Sequence, residues 1–522
     1  MKYTAIEKLT STYNVAAVYA VGLFSDASAD EQAQVLNALP ESLQPLAKGH
    51  IQAMHQATAT SSDCGYAALS SLSVIAENVT AQSALLVFGL GERARLDYIR
   101  LRHCAAQVTR WVKEKPFSTL CINLPASCYN LDKAALAILE GVDLSVFEGL
   151  WVRQTHKYKS DENLANDWEN QNLKETQLVN PSCSQVELDA YRSYCRAVHL
   201  SRELVATPAN IATPQELLAH AQRIAENHSL QLNVLDENAL KKNRMNGICA
   251  VSSGAIRPLF LHLRYKPAME TALGPLALIG LGLTFDPDGL SQGHSGTIEG
   301  MKKNMAGAAN VLAAAEIIGQ QQPARQVDFI LPLAERDRSL RSGDLITLSN
   351  GETIEINGPH IEGHLMLADA LLFAQTLGAE RVVSTATLSN APVACLGTQI
   401  APAWSSNEAA TAQLIRAGAM AGEQVWPLPI VHEHQATLVS PFADYRTPRE
   451  EFGAGLAALF LQQFVGEMDW SHMDISGTSW SAVVDGYLNA GATGWGVSTL
   501  VNWVDIVAKA DADINAGKKN ND

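Results

Sequence analysis

The chain has 522 residues, of which 47% are hydrophobic, and it carries a net charge of −16 at neutral pH. This length supports a large buried core and exceeds that of one ordinary domain, so two domains are expected. The negative charge argues against nucleic acids and anionic membranes as partners, because binding to both relies on lysine and arginine side chains.

Eight cysteines are scattered through apolar or helical sequence, without the spacing of a zinc site or of a disulfide framework. The first residues, MKYTAIEKLTSTYN, lack the basic and apolar regions of a signal peptide. No apolar stretch reaches the roughly 18 residues of a membrane span. We therefore expect reduced thiols in a soluble, cytoplasmic protein.

Strand and helix patterns alternate through residues 1–180. The predicted elements are strands that begin at residues 15, 83 and 118 and helices over 31–38, 95–113 and 131–141. Such alternation indicates a small α/β domain with a mostly parallel sheet. The polar run 159–182 has few apolar residues and predicts a surface connection, so we place a linker over 159–185.

A second, larger domain is predicted over residues 186–522. It begins with a long amphipathic helix over 186–205. Another helix starts at Thr213, Pro214 and Glu216, which have the order of an N-cap, an N1 proline and an N3 glutamate. Buried strands are predicted at PLFLHLRY (258–265), PLALIGLG (275–282), VDFILPL (327–333), DLITLS (344–349) and RVVSTATL (381–388).

Two segments of this domain combine an apolar strand, a Gly-rich polar loop and an Ala-rich helix. They are LIGLGLTFDPDGLSQGHSGTIEGMKKNMAGAANVL over 278–312 and NGPHIEGHLMLADAL over 357–371. In an α/β sheet this pattern places both loops at the carboxyl ends of strands, where ligand sites form. The small residues of helix 305–318 predict that this helix packs closely on the sheet.

These segments resemble the signature of the leucyl aminopeptidase family, the cytosol aminopeptidases that carry two metal ions and form hexamers. The resemblance covers residues 185–505 well, including GLAALFLQQFVGEMDWSHMDISGTSW (455–480) and GATGWGVSTLVNW (491–503), and the first 180 residues faintly. It implies a two-domain α/β fold whose C-terminal domain has a mixed sheet and carries the site. It also implies a homo- or hetero-hexamer of related subunits.

Carried over through this resemblance, the five metal ligands of the family fall on Leu281, Asp286, Asn304, His360 and Glu362. The carboxylates are kept at Asp286 and Glu362. The family has a lysine at the position of Leu281 and aspartates at those of Asn304 and His360. The chain therefore keeps two of the five expected ligands.

The two catalytic basic residues of the family also differ. Its lysine falls on Gly293, and the arginine that holds the bicarbonate base falls on His364. A glycine cannot polarise a scissile carbonyl or stabilise an oxyanion. Two divalent ions about 4 Å apart repel strongly and need several carboxylates, of which only Asp286 and Glu362 remain. We therefore expect no dinuclear aminopeptidase activity and no bound cofactor.

Two arrangements of the altered site remain open. His360, Glu362 and His364 are spaced by two, so in extended backbone their side chains share one face and, with Asp286, form a set of ligands for one zinc or manganese ion. Alternatively, the histidines fill space left by the metal ions and make ordinary hydrogen bonds. Asp286 and Glu362 then raise one another's pKa, and His360 or Lys302 compensates.

Three further features bear on the site. His294 lies in the Gly-rich loop and either approaches the same place or is solvated. Asp474 follows an apolar strand, yet the resemblance matches it to a structural position. The sequence is shorter than in the family around Arg336–Leu340 and before Gly453, which alters the predicted substrate pocket.

Three classes of function follow. The leading hypothesis is a pseudoenzyme that acts as a structural or assembly subunit, because the helix caps and closing helices are kept while the site residues change. The second is a metallo-aminopeptidase with a rewired, mononuclear site that releases N-terminal residues from peptides. The third is a binding module that holds peptides or amino acids without cleaving them.

Overall fold

The computed structural model describes the chain apart from residues 1, 7–16, 42, 50, 52–82, 114, 132, 148–172, 180, 253–255, 270–272, 286–302, 337–339, 359–360, 390, 449–452 and 520–522. The chain divides into two compact units. The first contains the described residues up to Arg196 together with Val483–Ala490, and the second contains Ala197–Ala482 and the residues from Gly491 onward.

The first unit is built around a five-stranded parallel sheet in the order β1-β5-β4-β2-β3. Its elements are β1 (Lys2–Ile6), β2 (Ala17–Phe24), α1 (Ala29–Asn37), β3 (Ser83–Gly91), α2 (Tyr98–Lys113), β4 (Thr119–Asn123), α3 (Ala134–Ser145) and β5 (Glu175–Val179). Strand β2 is buried along its whole length. Val18 and Ala20 enter one core cluster, and Tyr19 and Val21 enter the other, as alternation across a strand requires. The predicted small α/β domain is confirmed.

Strand β5 corrects the predicted linker over 159–185. Residues Glu175–Val179 pair with both β1 and β4, so they lie inside the sheet rather than on the surface. The polar side chains of Thr176 and Gln177 are buried there, and Cys121 Sγ donates a hydrogen bond to Gln177 Oε1 at 3.4 Å. Two apolar residues in a five-residue strand are too few for a sequence pattern to reveal it. Residues 159–172 lie outside the described residues.

The long helix α4 (Gln185–Ala206) confirms the helix predicted over 186–205. The division between the units falls inside this helix, after Arg196, whereas the sequence placed it between residues 180 and 186. Helix α5 (Pro214–His228) begins as predicted, because the Thr213 side chain accepts a hydrogen bond from the Glu216 amide at 3.3 Å.

The second unit contains a nine-stranded mixed sheet in the order β15-β14-β17-β13-β8-β10-β7-β6, with β9 paired to β10. Its strands are β6 (Gln231–Leu235), β7 (Leu259–Tyr265), β8 (Leu276–Gly280), β9 (Gly282–Phe285), β10 (Val327–Glu335), β13 (Arg381–Ala386), β14 (Ile400–Ser405), β15 (Gln424–Pro427) and β17 (Asp469–Asp474). The pairs that include β8 are parallel, whereas β7 runs antiparallel to both of its neighbours. The predicted mixed sheet is confirmed.

Helices and two small sheets complete the second unit. The helices are α6 (Glu237–Lys242), α7 (Asn246–Val251), α8 (Ala306–Gln321), α9 (Glu362–Thr376), α10 (Val393–Leu396), α11 (Glu408–Ala421), α12 (Ala454–Gln462) and α13 (Val497–Lys519). The small sheets are β11 (Leu345–Thr347) with β12 (Thr353–Glu355) and β16 (Tyr445–Arg446), and β18 (Trp480–Ser481) with β19 (Gly491–Ala492). None of the described helices combines the length and apolarity that crossing a membrane requires.

The strand predicted at DLITLS exists, but it is not buried. Strand β11 pairs with β12 alone, and the side chain of Leu345 is 52% exposed. Only Ile346 of this strand packs against the core, while Leu345 and Thr347 on the other face are exposed, so the apolar sequence does not mark a buried strand here. The other four predicted buried strands correspond to buried strands of the large sheet.

Helix α8 packs closely on this sheet, as its small residues predict. A Cβ added to Gly307 would lie 2.3 Å from the Thr385 carbonyl oxygen. The amide of Ala308 donates to the Leu281 carbonyl at 2.9 Å, and the amide of Leu281 donates to the Thr385 carbonyl at 3.1 Å. The start of the helix is therefore joined to the strand ends that form the candidate site.

Residues Val483–Ala490 belong to the first unit although they lie late in the chain. The Arg102 guanidinium lies 3.7 Å from the centre of the Tyr487 ring. Asn489 Nδ2 donates to the Ser145 carbonyl at 2.8 Å, and Arg110 Nη2 donates to the Leu488 carbonyl at 3.0 Å. These eight residues thus complete the helical side of the first unit.

Candidate functional site

Three elements of the second unit end or begin at the predicted site. Strand β9 ends at Phe285, strand β10 ends at Glu335, and helix α9 begins at Glu362. The described candidate residues are Leu281, Asn304, Glu362 and His364. The other candidates, which are Asp286, Gly293, His294, Lys302 and His360, lie outside the described residues.

Glu362 is the first residue of α9 and is buried. A carboxylate in the first turn of a helix interacts favourably with the helix dipole. Its Oε1 lies 2.8 Å from Nε of Arg336, and both side chains are only 3% exposed. Glu362 therefore forms an ion pair in the interior of the unit.

Arg336 lies at the site although no sequence motif suggests it. It follows strand β10 directly and begins the segment 336–340, which is expected from the sequence to be shorter than in the family. Its amide donates to the Phe285 carbonyl at 2.9 Å, which fixes its backbone beside the end of β9. The one feature of the sequence that could have indicated Arg336 is its position, as a basic residue immediately after a buried strand.

Leu281, at the position where the family has a lysine, is 2% exposed. Its side chain packs on Gly363, since a Cβ added to Gly363 would lie 2.8 Å from Leu281 Cδ2. Leu388 Cδ2 lies at the same distance from that added atom. Two leucine side chains thus cover the turn that follows Glu362, and neither can bind a metal ion.

Asn304 is half-buried immediately before α8. Its Oδ1 accepts a hydrogen bond from the Thr387 hydroxyl at 3.4 Å. The neighbouring Lys303 donates to the Ser476 carbonyl at 3.4 Å, and burial lowers the pKa of this lysine. Asn304 therefore supplies a neutral amide where the family has an aspartate.

His364 does not share a face with Glu362, so the predicted extended arrangement is wrong for these two residues. Both lie in α9, where residues two apart point about 200° from one another. The His364 ring meets the Phe460 ring edge-on at 6.2 Å, and burial lowers the pKa of His364 to about 4. Among the described residues, no group makes a hydrogen bond with its Nδ1. His364 is thus a buried, neutral ring that packs against Phe460.

A second buried histidine, His472, was not identified from the sequence. Its Nδ1 lies 2.9 Å from the Ser384 hydroxyl, and its ring lies 6.2 Å from each of the rings of Trp404 and Trp470. Burial, and then the charge that His364 would carry, lower the pKa of His472 to about 3. This histidine belongs to the core that supports α9 and β17.

Asp474 has the structural role that the sequence indicated. Its Oδ2 accepts from the Ser389 amide and its Oδ1 from the Ser476 amide, each at 2.9 Å. Burial raises the pKa of Asp474 to about 6, while these hydrogen bonds act in the opposite direction. The carboxyl therefore holds two loops at the end of β17.

Known proteins are similar to this chain in both sequence and fold. Residues 199–501 match the catalytic domain of the cytosol aminopeptidase family. The chain belongs to this family.

Among its cytosol aminopeptidase relatives are two probable cytosol aminopeptidases. The one from Cyanothece sp. is 38% identical over 426 residues, which cover 80% of this chain and 85% of the relative. The one from Trichodesmium erythraeum is 38% identical over 432 residues, which cover 81% of this chain and 84% of the relative. The family predicted from the sequence is therefore confirmed.

Solved structures agree with this membership of the cytosol aminopeptidase family. A mutant of tomato leucine aminopeptidase is 29% identical, with a TM-score of 0.78 and coverage of 97% of this chain and 96% of that one. The bottromycin maturation enzyme BotP in complex with Mn is 26% identical, with a TM-score of 0.75 and coverage of 94% and 99%. The fold predicted from the sequence is that of these enzymes.

Three of the five metal-ligand positions implied by the resemblance, Leu281, Asn304 and Glu362, lie among the described residues, and together they supply one carboxylate. Leu281 offers no ligand atom, Asn304 offers no charge, and Glu362 is already paired with Arg336. Within the described part of the chain, which omits Asp286 and His360, no three His, Cys, Asp or Glu side chains are placed to hold a metal ion together. A dinuclear centre needs more negative charge than these residues supply.

Proposed function

We propose that this chain is a catalytically silent member of the cytosol aminopeptidase family that acts as a structural or assembly subunit. The observation that carries this proposal is the buried ion pair between Arg336 and Glu362. Glu362 stands at a predicted metal-ligand position, and its carboxylate is neutralised by a side chain of the same chain. A metal ion bound to the same carboxylate would be repelled by the guanidinium of this arginine.

The neighbouring positions support the same proposal. Leu281 and Asn304 carry no charge, and His364 stays neutral because burial lowers its pKa to about 4. By resemblance, Gly293 stands where the family has its catalytic lysine. The two positions at which the family has its catalytic lysine and arginine therefore carry a glycine and a neutral histidine, neither of which would bind bicarbonate or stabilise an oxyanion.

The rest of the proposal concerns cofactors and partners. We propose that the native chain holds neither zinc nor manganese. We also propose that it forms a homo- or hetero-hexamer with related subunits in the cytoplasm, as the resemblance implies. The retained catalytic-domain sequence over 199–501 supports assembly, because a fold can outlast its site.

A peptidase assay tests this proposal. Purified protein is incubated with leucine amide and with leucine p-nitroanilide, with manganese or zinc added. We expect no turnover above background. A turnover above about 1 s⁻¹, ordinary for an enzyme, that disappears in Glu362→Ala would contradict the proposal. The variant also separates the activity of this chain from that of a contaminating peptidase.

The second candidate is a metallo-aminopeptidase with one metal ion in a rewired site. The names of the relatives and the Mn complex of BotP favour it. Asp286, Glu362 and His360 would be its ligands, because α9 turns His364 away from Glu362. Elemental analysis of the purified chain separates the two candidates, since this one requires about one zinc or manganese ion per chain.

A further inference from the structure

The buried side chain of Arg336 forms a salt bridge with Glu362. Nε of Arg336 lies 2.8 Å from Glu362 Oε1, and both side chains are excluded from solvent. A guanidinium remains charged at every physiological pH. The glutamate of the candidate site is therefore already in contact with a full positive charge.

The backbone holds Arg336 in this position. Its amide donates to the Phe285 carbonyl at 2.9 Å, one residue before Asp286 in the sequence. The pairing of β9 with β10 shifts register between Ala334 and Glu335, immediately before the arginine. Such an irregularity redirects the side chains that follow it. The end of β10 is thus built so that Arg336 lies at the site.

Apolar side chains enclose the turn that carries Glu362. Leu281 and Leu388 both pack on Gly363, the residue that follows the glutamate. Charges interact more strongly where water is excluded, so the attraction within the pair and the repulsion of any further cation both increase. A zinc or manganese ion bound to the same carboxylate would lie within about 5 Å of the guanidinium.

We propose that Arg336 is the resident cation of this site. Its guanidinium supplies to Glu362 the positive charge that a divalent metal ion supplies in metal-dependent members of the family. This inference rests on the proposed loss of metal chemistry and gives it a cause within the chain. Removing the arginine removes its repulsion of a divalent cation at the enclosed carboxylate, so such a cation should bind there more tightly.

The test compares Arg336→Met with wild type and with a matched control. Arg102 forms a pair of the same kind in the first unit, where Nη1 lies 2.9 Å from Glu140 Oε2 and the side chains are 3% and 1% exposed. Arg102→Met therefore also breaks a buried arginine–glutamate pair. Binding of Mn²⁺ is measured by calorimetric titration of the full-length protein, and retained metal by elemental analysis after dialysis.

We expect Mn²⁺ to bind Arg336→Met at least about tenfold more tightly than wild type, since a like charge at this distance shifts the cation affinity of a carboxylate by that much or more. Arg102→Met should bind no more Mn²⁺ than wild type. An Arg336→Met protein that folds and binds Mn²⁺ no better than wild type would overturn the proposal. Equal gains in both variants would overturn it as well.

If Arg336→Met does not fold, a double variant tests whether Arg336 is needed to balance the charge of Glu362. Adding Glu362→Gln removes the carboxylate that has lost its arginine, so the double variant should fold and melt at a higher temperature than Arg336→Met or Glu362→Gln alone. Failure of this rescue would show that the arginine is held by other contacts and would overturn the proposal.

The outcomes also separate this inference from the proposed function. Peptidase activity of the wild type that depends on Glu362 contradicts the proposed function, whatever metal Arg336→Met binds. An inactive wild type combined with a folded Arg336→Met that gains no Mn²⁺ contradicts only the role of the arginine.

Discussion

The side chain of Leu281 packs directly on Gly363. A Cβ added to Gly363 would lie only 2.8 Å from Leu281 Cδ2. Gly363 lies between Glu362 and His364 in the first turn of α9. The missing side chain therefore sets how closely this helix approaches the strand ends that carry the site.

Gly363→Ala tests this packing. We expect a loss of about 1–3 kcal/mol in the free energy of unfolding, because the added methyl group overpacks the contact with Leu281 and Leu388. Gly358→Ala is the matched control, since a Cβ there meets no described atom within 4 Å. Urea denaturation measures both variants. Adding Leu281→Ala should reduce the loss caused by Gly363→Ala, and purely additive losses would show that the two residues do not press on each other.

Restoring the family residues tests the assignment of the site. From the sequence alone, joint substitution of five positions should recover metal binding, whereas any single change should recover almost nothing, because residues of one cluster are strongly non-additive. The five substitutions are Leu281→Lys, Gly293→Lys, Asn304→Asp, His360→Asp and His364→Arg. The readout is manganese and zinc content by elemental analysis.

The ion pair changes the expected result of that experiment. With Arg336 still on Glu362, we expect the fivefold variant to bind little metal, and we expect a sixth substitution, Arg336→Met, to increase the metal content. A fivefold variant that already holds two ions per chain would contradict the role given to Arg336. A sixfold variant that folds and holds none would show that the backbone of the site differs from that of the family.

The pH dependence of stability should report on His472. Burial and the neighbouring His364 lower its pKa to about 3, from an ordinary value of 6.5. As the pH falls below 6.5, His472 becomes protonated in the unfolded chain but stays neutral in the folded chain. Acid therefore favours the unfolded chain, and the stability that is present above pH 6.5 is progressively lost below it. From pH 6.5 to about pH 4.5 the loss is at most about 3 kcal/mol.

The variant His472→Asn isolates this effect, because asparagine can keep a hydrogen bond to Ser384 and does not titrate. Its melting temperature should fall less steeply with acid than that of the wild type. His432→Asn, at an exposed position, is the control and should leave the slope unchanged. Equal slopes for wild type and His472→Asn would show that His472 already carries a proton in the folded chain.

Assembly is expected to proceed through the second unit. Val439 and Phe442 are 64% and 74% exposed, and large apolar side chains of this kind favour a partner surface. Light scattering at micromolar concentration should give a mass six times that of the 56.2 kDa chain. Phe442→Asp should lower that mass, whereas Val186→Asp, on an equally exposed valine of the first unit, should not. A monomeric wild type would contradict the prediction.

Much of the fold follows from local sequence. Apolar runs predict the central strands, and Thr213 with Pro214 marks a helix start, because these signals act over a few residues. Strand β5 was not predicted, because its buried Gln177 finds a hydrogen-bond partner, Cys121, on another strand. Strand β11 was wrongly predicted to be buried, because burial depends on the elements that pack against a strand. Contacts between distant segments are not encoded in any one pattern.

The site shows the same limit. The family resemblance led to Glu362 and Leu281, but not to Arg336, whose role depends on a contact 26 positions along the chain and on a register shift between β9 and β10. The spacing of two between Glu362 and His364 led to the prediction that both side chains share one face. Residues two apart share a face in extended backbone but not in a helix. The residue types of the signature predict the ligand positions, whereas the ion pair of Glu362 with Arg336 depends on three-dimensional packing.

The late segment Val483–Ala490 has a consequence for the order in which the chain can fold during synthesis. The ribosome makes the N-terminal part first, and domains generally fold as they emerge. Here the Tyr487 ring that covers Arg102 and the Asn489 amide that binds the Ser145 carbonyl are made only after nearly the whole second unit. The first unit therefore cannot reach its final form while it emerges, and a nascent chain that stops before Val483 leaves its buried arginine without this cover.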